Sequence, residues 1–162
     1  MQLHNIPPLF NENSEILILG SFPSQKSREA QFFYGHPQNR FWSVLSAVLE
    51  EKLPQSIDEK RGMLLKNKIA LWDVIKSCEI VGSSDSSIKN AVPNDISGII
   101  KKSNIKRIYV NGKTAEKYYK KYILDSTQIP ASVLPSTSPA NAAFRMEKLT
   151  DKWKMIKEVL GD

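Results

Sequence analysis

Four short apolar runs, each closed by a glycine or a polar signal, frame this chain. Glu15-Ile16-Leu17-Ile18-Leu19-Gly20 is continuously apolar and ends in glycine, the pattern of a buried strand. Ile69-Ala70-Leu71-Trp72, Arg107-Ile108-Tyr109-Val110 and Ala131-Ser132-Val133-Leu134 read as three more strands. Between them, apolar residues recur at helical spacing. Phe41, Trp42, Leu45, Val48 and Leu49 share one helical face, and Ser56-Ile57-Asp58-Glu59 has the spacing of a capping box that opens a helix toward Leu65. Ile96, Ile99 and Ile100 suggest a helix beginning near Pro93, residues 114–124 read as another, and Met146, Leu149, Trp153, Ile156 and Leu160 mark the last. Strands alternating with helices imply a parallel sheet, because each parallel crossover needs a helix. The expected fold is therefore α/β: a single-domain three-layer α/β/α sandwich with a central four-stranded parallel sheet, spanning residues 1–162.

Ligands of such sheets sit at the carboxyl ends of the strands. Here those ends read Gly20-Ser21-Phe22-Pro23, Asp73, Asn111-Gly112-Lys113 and Pro135-Ser136-Thr137-Ser138-Pro139, so polar, glycine and proline signals converge on one rim. One connection is unusually long: residues 21–38 show no clear secondary-structure pattern, and loops of that length are functional or disordered. Phe22, Phe32, Phe33 and Tyr34 argue for order. Phe32 and Phe33 read as cover for the core, whereas Phe22, directly after the first strand, suits stacking against a flat ligand.

Composition narrows the classes. The 162 residues suffice for one buried core and are too few for two ordinary domains. No run is long enough to span a bilayer, and Met1-Gln2-Leu3-His4 lacks the features of a signal peptide, so a cytoplasmic, nucleoid-associated protein is expected. Cys78 stands alone, with only His4 and His36 beside it, which leaves no disulfide and no zinc or iron–sulfur ligand set; no cofactor or metal is expected. The net charge of +6 is concentrated late in the chain, where residues 101–121 hold eight basic side chains and only Glu116 against them. That stretch reads either as a solvated lysine-rich surface or as a contact for nucleic acid. Neither Gly-x-Gly-x-x-Gly nor a phosphate loop occurs, which weakens a nucleotide-binding reading.

Three segments carry a family resemblance. Gly20-Ser21-Phe22-Pro23-Ser24, Phe33-Tyr34-Gly35-His36-Pro37-Gln38-Asn39-Arg40-Phe41-Trp42 and Pro135-Ser136-Thr137-Ser138-Pro139-Ala140-Asn141 resemble, in order, the motifs of the uracil-DNA glycosylase superfamily. More narrowly they resemble its hypoxanthine (deoxyinosine) branch, and Leu71-Trp72-Asp73-Val74 and Gly82-Ser83-Ser84-Asp85 fall where the family has intermediate motifs. The resemblance implies a DNA repair enzyme, a glycosylase that flips a deaminated base out of DNA. No lysine stands out as a Schiff-base nucleophile, so a monofunctional enzyme that leaves an abasic site is expected. Several branches place a catalytic Asn or Asp in the turn after the first strand, yet here that turn reads Gly20-Ser21-Phe22-Pro23. The likeness to the hypoxanthine branch assigns the task to Asn39 instead, and the single Cys78 sets the chain apart from the iron–sulfur branches.

Base-binding roles fall to Phe22 by stacking, to Asp73 where related branches read the base edge, and to Ser21. Asp73 also has the ordinary alternative of a helix or turn cap, as Asn39 has that of an N-cap for a helix starting at Arg40. His36 reads as structural more readily than as a proton donor. Ser136, Ser138 and the turn at Ser21 could hold phosphates through hydroxyls and backbone amides, with Lys113 beside them. The loop Pro139-Ala140-Asn141 could fill the gap left by the flipped base. The expected partner is DNA bearing a deaminated base, with no membrane, and the protein is expected to act as a monomer. Two rivals remain: a uracil or mismatch glycosylase, and a non-catalytic module of the same fold that binds damaged DNA.

Overall fold

The computed structural model describes residues 2–3 and 6–160; His4 lies outside them. A two-residue strand β1 (Gln2–Leu3) precedes β2 (Ile16–Gly20), all five residues of which are buried. Then come α1 (Gln25–Ala30), α2 (Phe41–Leu49), α3 (Ile57–Lys66), β3 (Ile69–Asp73), β4 (Ile75–Glu79) and β5 (Lys89–Pro93). The remainder is α4 (Ser97–Lys101), β6 (Arg107–Asn111), α5 (Lys113–Tyr122), α6 (Leu124–Thr127), β7 (Ala131–Leu134), α7 (Met146–Trp153) and α8 (Met155–Leu160). β3, β2, β6 and β7 form the expected parallel sheet in that order, with Ile18 opposite both Leu71 and Tyr109.

Strand alternation feeds two cores. Ile16, Ile18, Ile69, Leu71 and Tyr109 point to one face, where they pack with Phe41, Leu45, Leu64, Leu149 and Trp153 of the helices there. Leu17, Leu19, Ala70, Ile108 and Val110 point to the other, against Ile99, Ala115 and Tyr119. β2 and β3 are thus covered on both faces, which is why they read as apolar runs, while β7 at the sheet edge keeps Ser132 and Val133 exposed.

Three features depart from the sequence reading. A second, antiparallel sheet of order β1-β4-β5 follows directly on β3, and Pro93 ends β5 rather than opening a helix. The next helix starts at Ser97, whose backbone N–H donates to Asp95 Oδ1 at 3.1 Å. Within the long connection, α1 forms six residues of helix under an N-cap at Ser24, whose Oγ accepts from the Ser27 N–H. The final helix is broken at Lys154 into two. Phe32 and Phe33 are buried in the core, as read.

Candidate active site

The carboxyl ends of the four parallel strands open into a cleft of about 950 Å³, within the size range of small-ligand sites. Its walls include Ser21, Phe22, Asn39, Asp73 and Lys113 together with Ser136, Ser138, Pro139, Ala140 and Asn141. Every residue singled out for a role from the sequence therefore faces one cavity. Among the described residues, Tyr34, Asp85, Asn111, Thr137 and Lys152 also line it, and the sequence reading gave none of them an individual role in the site.

The floor is built by close approach. A Cβ on Gly20 would stand 2.6 Å from Asp73 Oδ1 and 2.9 Å from the Tyr34 hydroxyl, so only glycine lets both groups reach the end of β2. Asp73 is 4% exposed, and among the described residues neither its Oδ2 nor the buried Tyr34 hydroxyl makes a hydrogen bond of ordinary geometry, although the Asn111 side chain lies near enough to that hydroxyl to act on it. Burial, with the negative charge of Asp85 added, raises the Asp73 pKa to about 7. Burial pushes the Tyr34 phenol up as well, with Asp73 contributing, so that group stays protonated. Among the described residues the capping role open to Asp73 is not taken up by its carboxyl, while its backbone carbonyl accepts from Asn94 Nδ2 at 2.9 Å. Asp85, an exposed residue of the wall, has a carboxyl crowded enough that desolvation raises its pKa, although the Ser21 hydroxyl donates to its Oδ1 at 2.9 Å. That bond commits the Ser21 hydroxyl hydrogen to Asp85.

Asn39 sits half-buried at the mouth of α2. Its Oδ1 accepts from the Phe41 N–H at 2.9 Å and from the Thr137 hydroxyl at 2.8 Å. The cap position itself is occupied by Arg40, one residue later than the sequence suggested, and Asn39 reaches over it. Phe22 is 8% exposed: its ring joins the second core while lining the cleft, and the Arg28 guanidinium lies 5.2 Å from its centroid. The His36 Nδ1 accepts from the Gln38 N–H at 3.1 Å, a local turn contact.

The opposite wall is a stapled loop, residues 136–144. The Ser136 and Ser138 hydroxyls accept from the Ser138 and Ala140 N–H groups at 3.1 Å each, which leaves their own hydrogens available to a phosphate. Asn141 Nδ2 donates to the Ser136 carbonyl at 3.0 Å, so this side chain shapes the loop, while Pro139 and Ala140 stand exposed at its tip. Arg40 holds the whole loop, donating to the carbonyls of Ser138 (3.0 Å), Asn141 (3.1 Å) and Phe144. Arg40→Ala is expected to lower stability by about 2 kcal/mol and to weaken binding to duplex DNA, with Arg40→Lys failing to restore either, since one ammonium cannot span three carbonyls. Thermal unfolding and a DNA titration of the two variants check this.

The basic stretch does not form one surface. β6 crosses the sheet, so Lys101, Lys102 and Lys106 precede it at the far rim, and Lys106 pairs with Glu15 at 3.9 Å. Of its eight cations, Lys113 lines the cleft, and Lys152 joins it from α7. Among the described residues, no group of three His, Cys, Asp or Glu side chains could hold a metal ion, and no helix is long and apolar enough to cross a membrane.

A parallel α/β sandwich with an amide and a buried carboxyl lining one cleft at its carboxyl rim defines a class, and direct comparison agrees. The chain belongs to the uracil DNA glycosylase superfamily, whose family model matches residues 7–160. It is 38% identical over 152 residues to a hypoxanthine DNA glycosylase of Methanosarcina acetivorans, covering 93% of this chain and 94% of the relative. It is 39% identical over 145 residues to a hypoxanthine DNA glycosylase of Methanosarcina barkeri, covering 87% and 89%. A solution NMR structure of a proposed uracil DNA glycosylase from Methanosarcina acetivorans superposes with a TM-score of 0.79 at 34% identity, over 96% of this chain and 99% of that one.

Proposed function

We propose that this protein excises hypoxanthine from DNA as a monofunctional glycosylase. The carrying observation is the Asn39 amide, fixed in the cleft that Asp73 also lines, while the turn after β2 supplies neither amide nor carboxylate. Two relatives bearing the name hypoxanthine DNA glycosylase support the choice of base. The hydroxyls of Ser136 and Ser138, with Lys113, grip phosphates flanking the flipped nucleotide, and the exposed tip at Pro139 and Ala140 enters the groove. Flipping costs a few kcal/mol, least for a poorly paired base such as hypoxanthine opposite thymine.

In the cleft, Phe22 supports the purine and Asp73 meets its edge. The bond from C1′ to N9 breaks with its electron pair going to the base, through an oxocarbenium-like sugar. Water adds its oxygen to C1′, and the proton it gives up ends on the departed base. Negative charge growing on the base is opposed by an ionised Asp73 and favoured by a neutral one. A carboxyl titrating near pH 7, beside the Asp85 charge, is suited to donate a proton-bearing hydrogen bond to O6 or N7. Lys113 and Lys152 are exposed at the cleft's edge rather than desolvated within it, which favours hydrolysis by water over a Schiff base. Each residue given a role here lies on one chain, so the reading asks for no second copy.

A substrate panel tests the reading. Duplexes containing deoxyinosine, deoxyxanthosine or deoxyuridine are expected to lose hypoxanthine fastest. Full activity on uracil with none on hypoxanthine would transfer the protein to another branch, and binding without release of any base would make it a damage-binding module.

A further inference from the structure

We propose that Thr137 is a positioning residue that fixes Asn39 as a hydrogen-bond donor toward the departing base. The proposal rests on the glycosylase reading above and adds both a residue and a polarity to it. Two backbone N–H groups, which can only donate, anchor the network at its ends. The Thr137 N–H donates to Asn111 Oδ1 at 3.1 Å, so the other end of that amide is Nδ2, which donates to Thr137 Oγ1 at 3.0 Å. With its oxygen already accepting, the Thr137 hydroxyl directs its hydrogen to Asn39 Oδ1 at 2.8 Å. The Phe41 N–H reaches the same oxygen from the helix. Asn39 Oδ1 thus has both lone pairs engaged, and Nδ2 is the part of the amide left to act in the cleft.

The consequence is chemical. An amide showing only N–H cannot accept a proton from attacking water, and donating to that water would make it a poorer nucleophile. It can donate to a purine leaving with negative charge, where a preset donor acts most strongly. Thr137 is completely buried and joins the end of β7 to the start of α2 through Arg40, whose N–H donates to the Thr137 carbonyl at 3.0 Å. The same residue therefore sets both the place and the orientation of Asn39, without touching the base.

Single-turnover excision from an inosine-containing duplex, with binding measured separately, tests the assignment. Thr137→Val, which keeps the shape and removes the hydroxyl, is expected to slow excision by roughly 10- to 100-fold with duplex affinity unchanged. Thr137→Ser is expected to restore most of the rate, and Thr137→Val is expected to add nothing in an Asn39→Ala background. Asn39→Asp supplies a check independent of packing at position 137. Its outward atom becomes an acceptor, so the rate is expected to fall as far as in Asn39→Ala. A wild-type rate for Thr137→Val, a full additional loss on top of Asn39→Ala, or retained activity in Asn39→Asp would each overturn the proposal. Full activity in Asn39→Ala would instead remove Asn39 from the chemistry altogether.

Discussion

Asn39→Ala is expected to lower single-turnover release of hypoxanthine by about 100- to 1,000-fold while leaving binding to the inosine-containing duplex within a few fold. The size follows from removing one preset donor to a developing negative charge, worth roughly 3–4 kcal/mol in comparable sites. The split between rate and binding follows from timing. The Asn39 Nδ2 gains a charged partner only as the C1′–N9 bond breaks, so its loss is felt in the transition state and little in the ground state. Oδ1, by contrast, is occupied before substrate arrives. Alanine also leaves the Phe41 N–H without its acceptor, at a stability cost of about 1 kcal/mol, which thermal unfolding will separate from the rate. A variant as active as the parent would place the chemistry on another group.

The second large effect is a pH dependence carried by Asp73, whose pKa rises from 3.8 to about 7 in the folded protein. Below pH 4 the carboxyl is protonated in folded and unfolded chains alike. Between about 4 and 7 the unfolded chain releases the proton and the folded chain keeps it, so stability falls as pH rises. Above about 7 both are ionised and the dependence ends. The whole step amounts to about 4 kcal/mol as an upper figure. Other carboxylates shift the opposite way, as Glu50 does beside Lys157, so the difference between the parent and Asp73→Asn isolates the effect. Urea unfolding of both at pH 4 and pH 8 is expected to show the variant gaining on the parent by most of that amount. Excision is expected to follow the same proton. The parent's rate falls as pH rises through about 7, and Asp73→Asn, which keeps a donor, shows a flatter profile. A parent rate that rises through pH 7 would instead make the ionised carboxylate the active form.

β2 and β3 were readable in sequence because their burial is nearly symmetrical. β2 and β3 are dry on both faces, so their composition alone marked them. β4 and β5 escaped notice because Lys76, Glu79, Lys89 and Asn90 face solvent and neither strand shows a clean alternation. α1 escaped because Gln25–Ala30 offers no apolar stripe; a serine cap and a buried Ser27 define it. The rim was legible because ligands of such sheets gather at strand ends, and Asn39 because a family motif carried it. The orientation of Asn39 was not, since it depends on Thr137, 98 residues away in sequence. The perturbation of Asp73 was equally hidden, because it comes from the dry floor made by Gly20 and from a carboxyl on another element. The two readings of the basic stretch at 101–121 could not be separated in sequence for a topological reason: β6 carries the chain from one rim to the other within it.

The most direct measurement is detection of the free base after incubation of the protein with a duplex holding one deoxyinosine. Release of hypoxanthine in equal amount to abasic sites, with the strand left unbroken until alkali or heat is applied, is the expected result. Tight binding with no free hypoxanthine, or strand cleavage accompanying release, would contradict it.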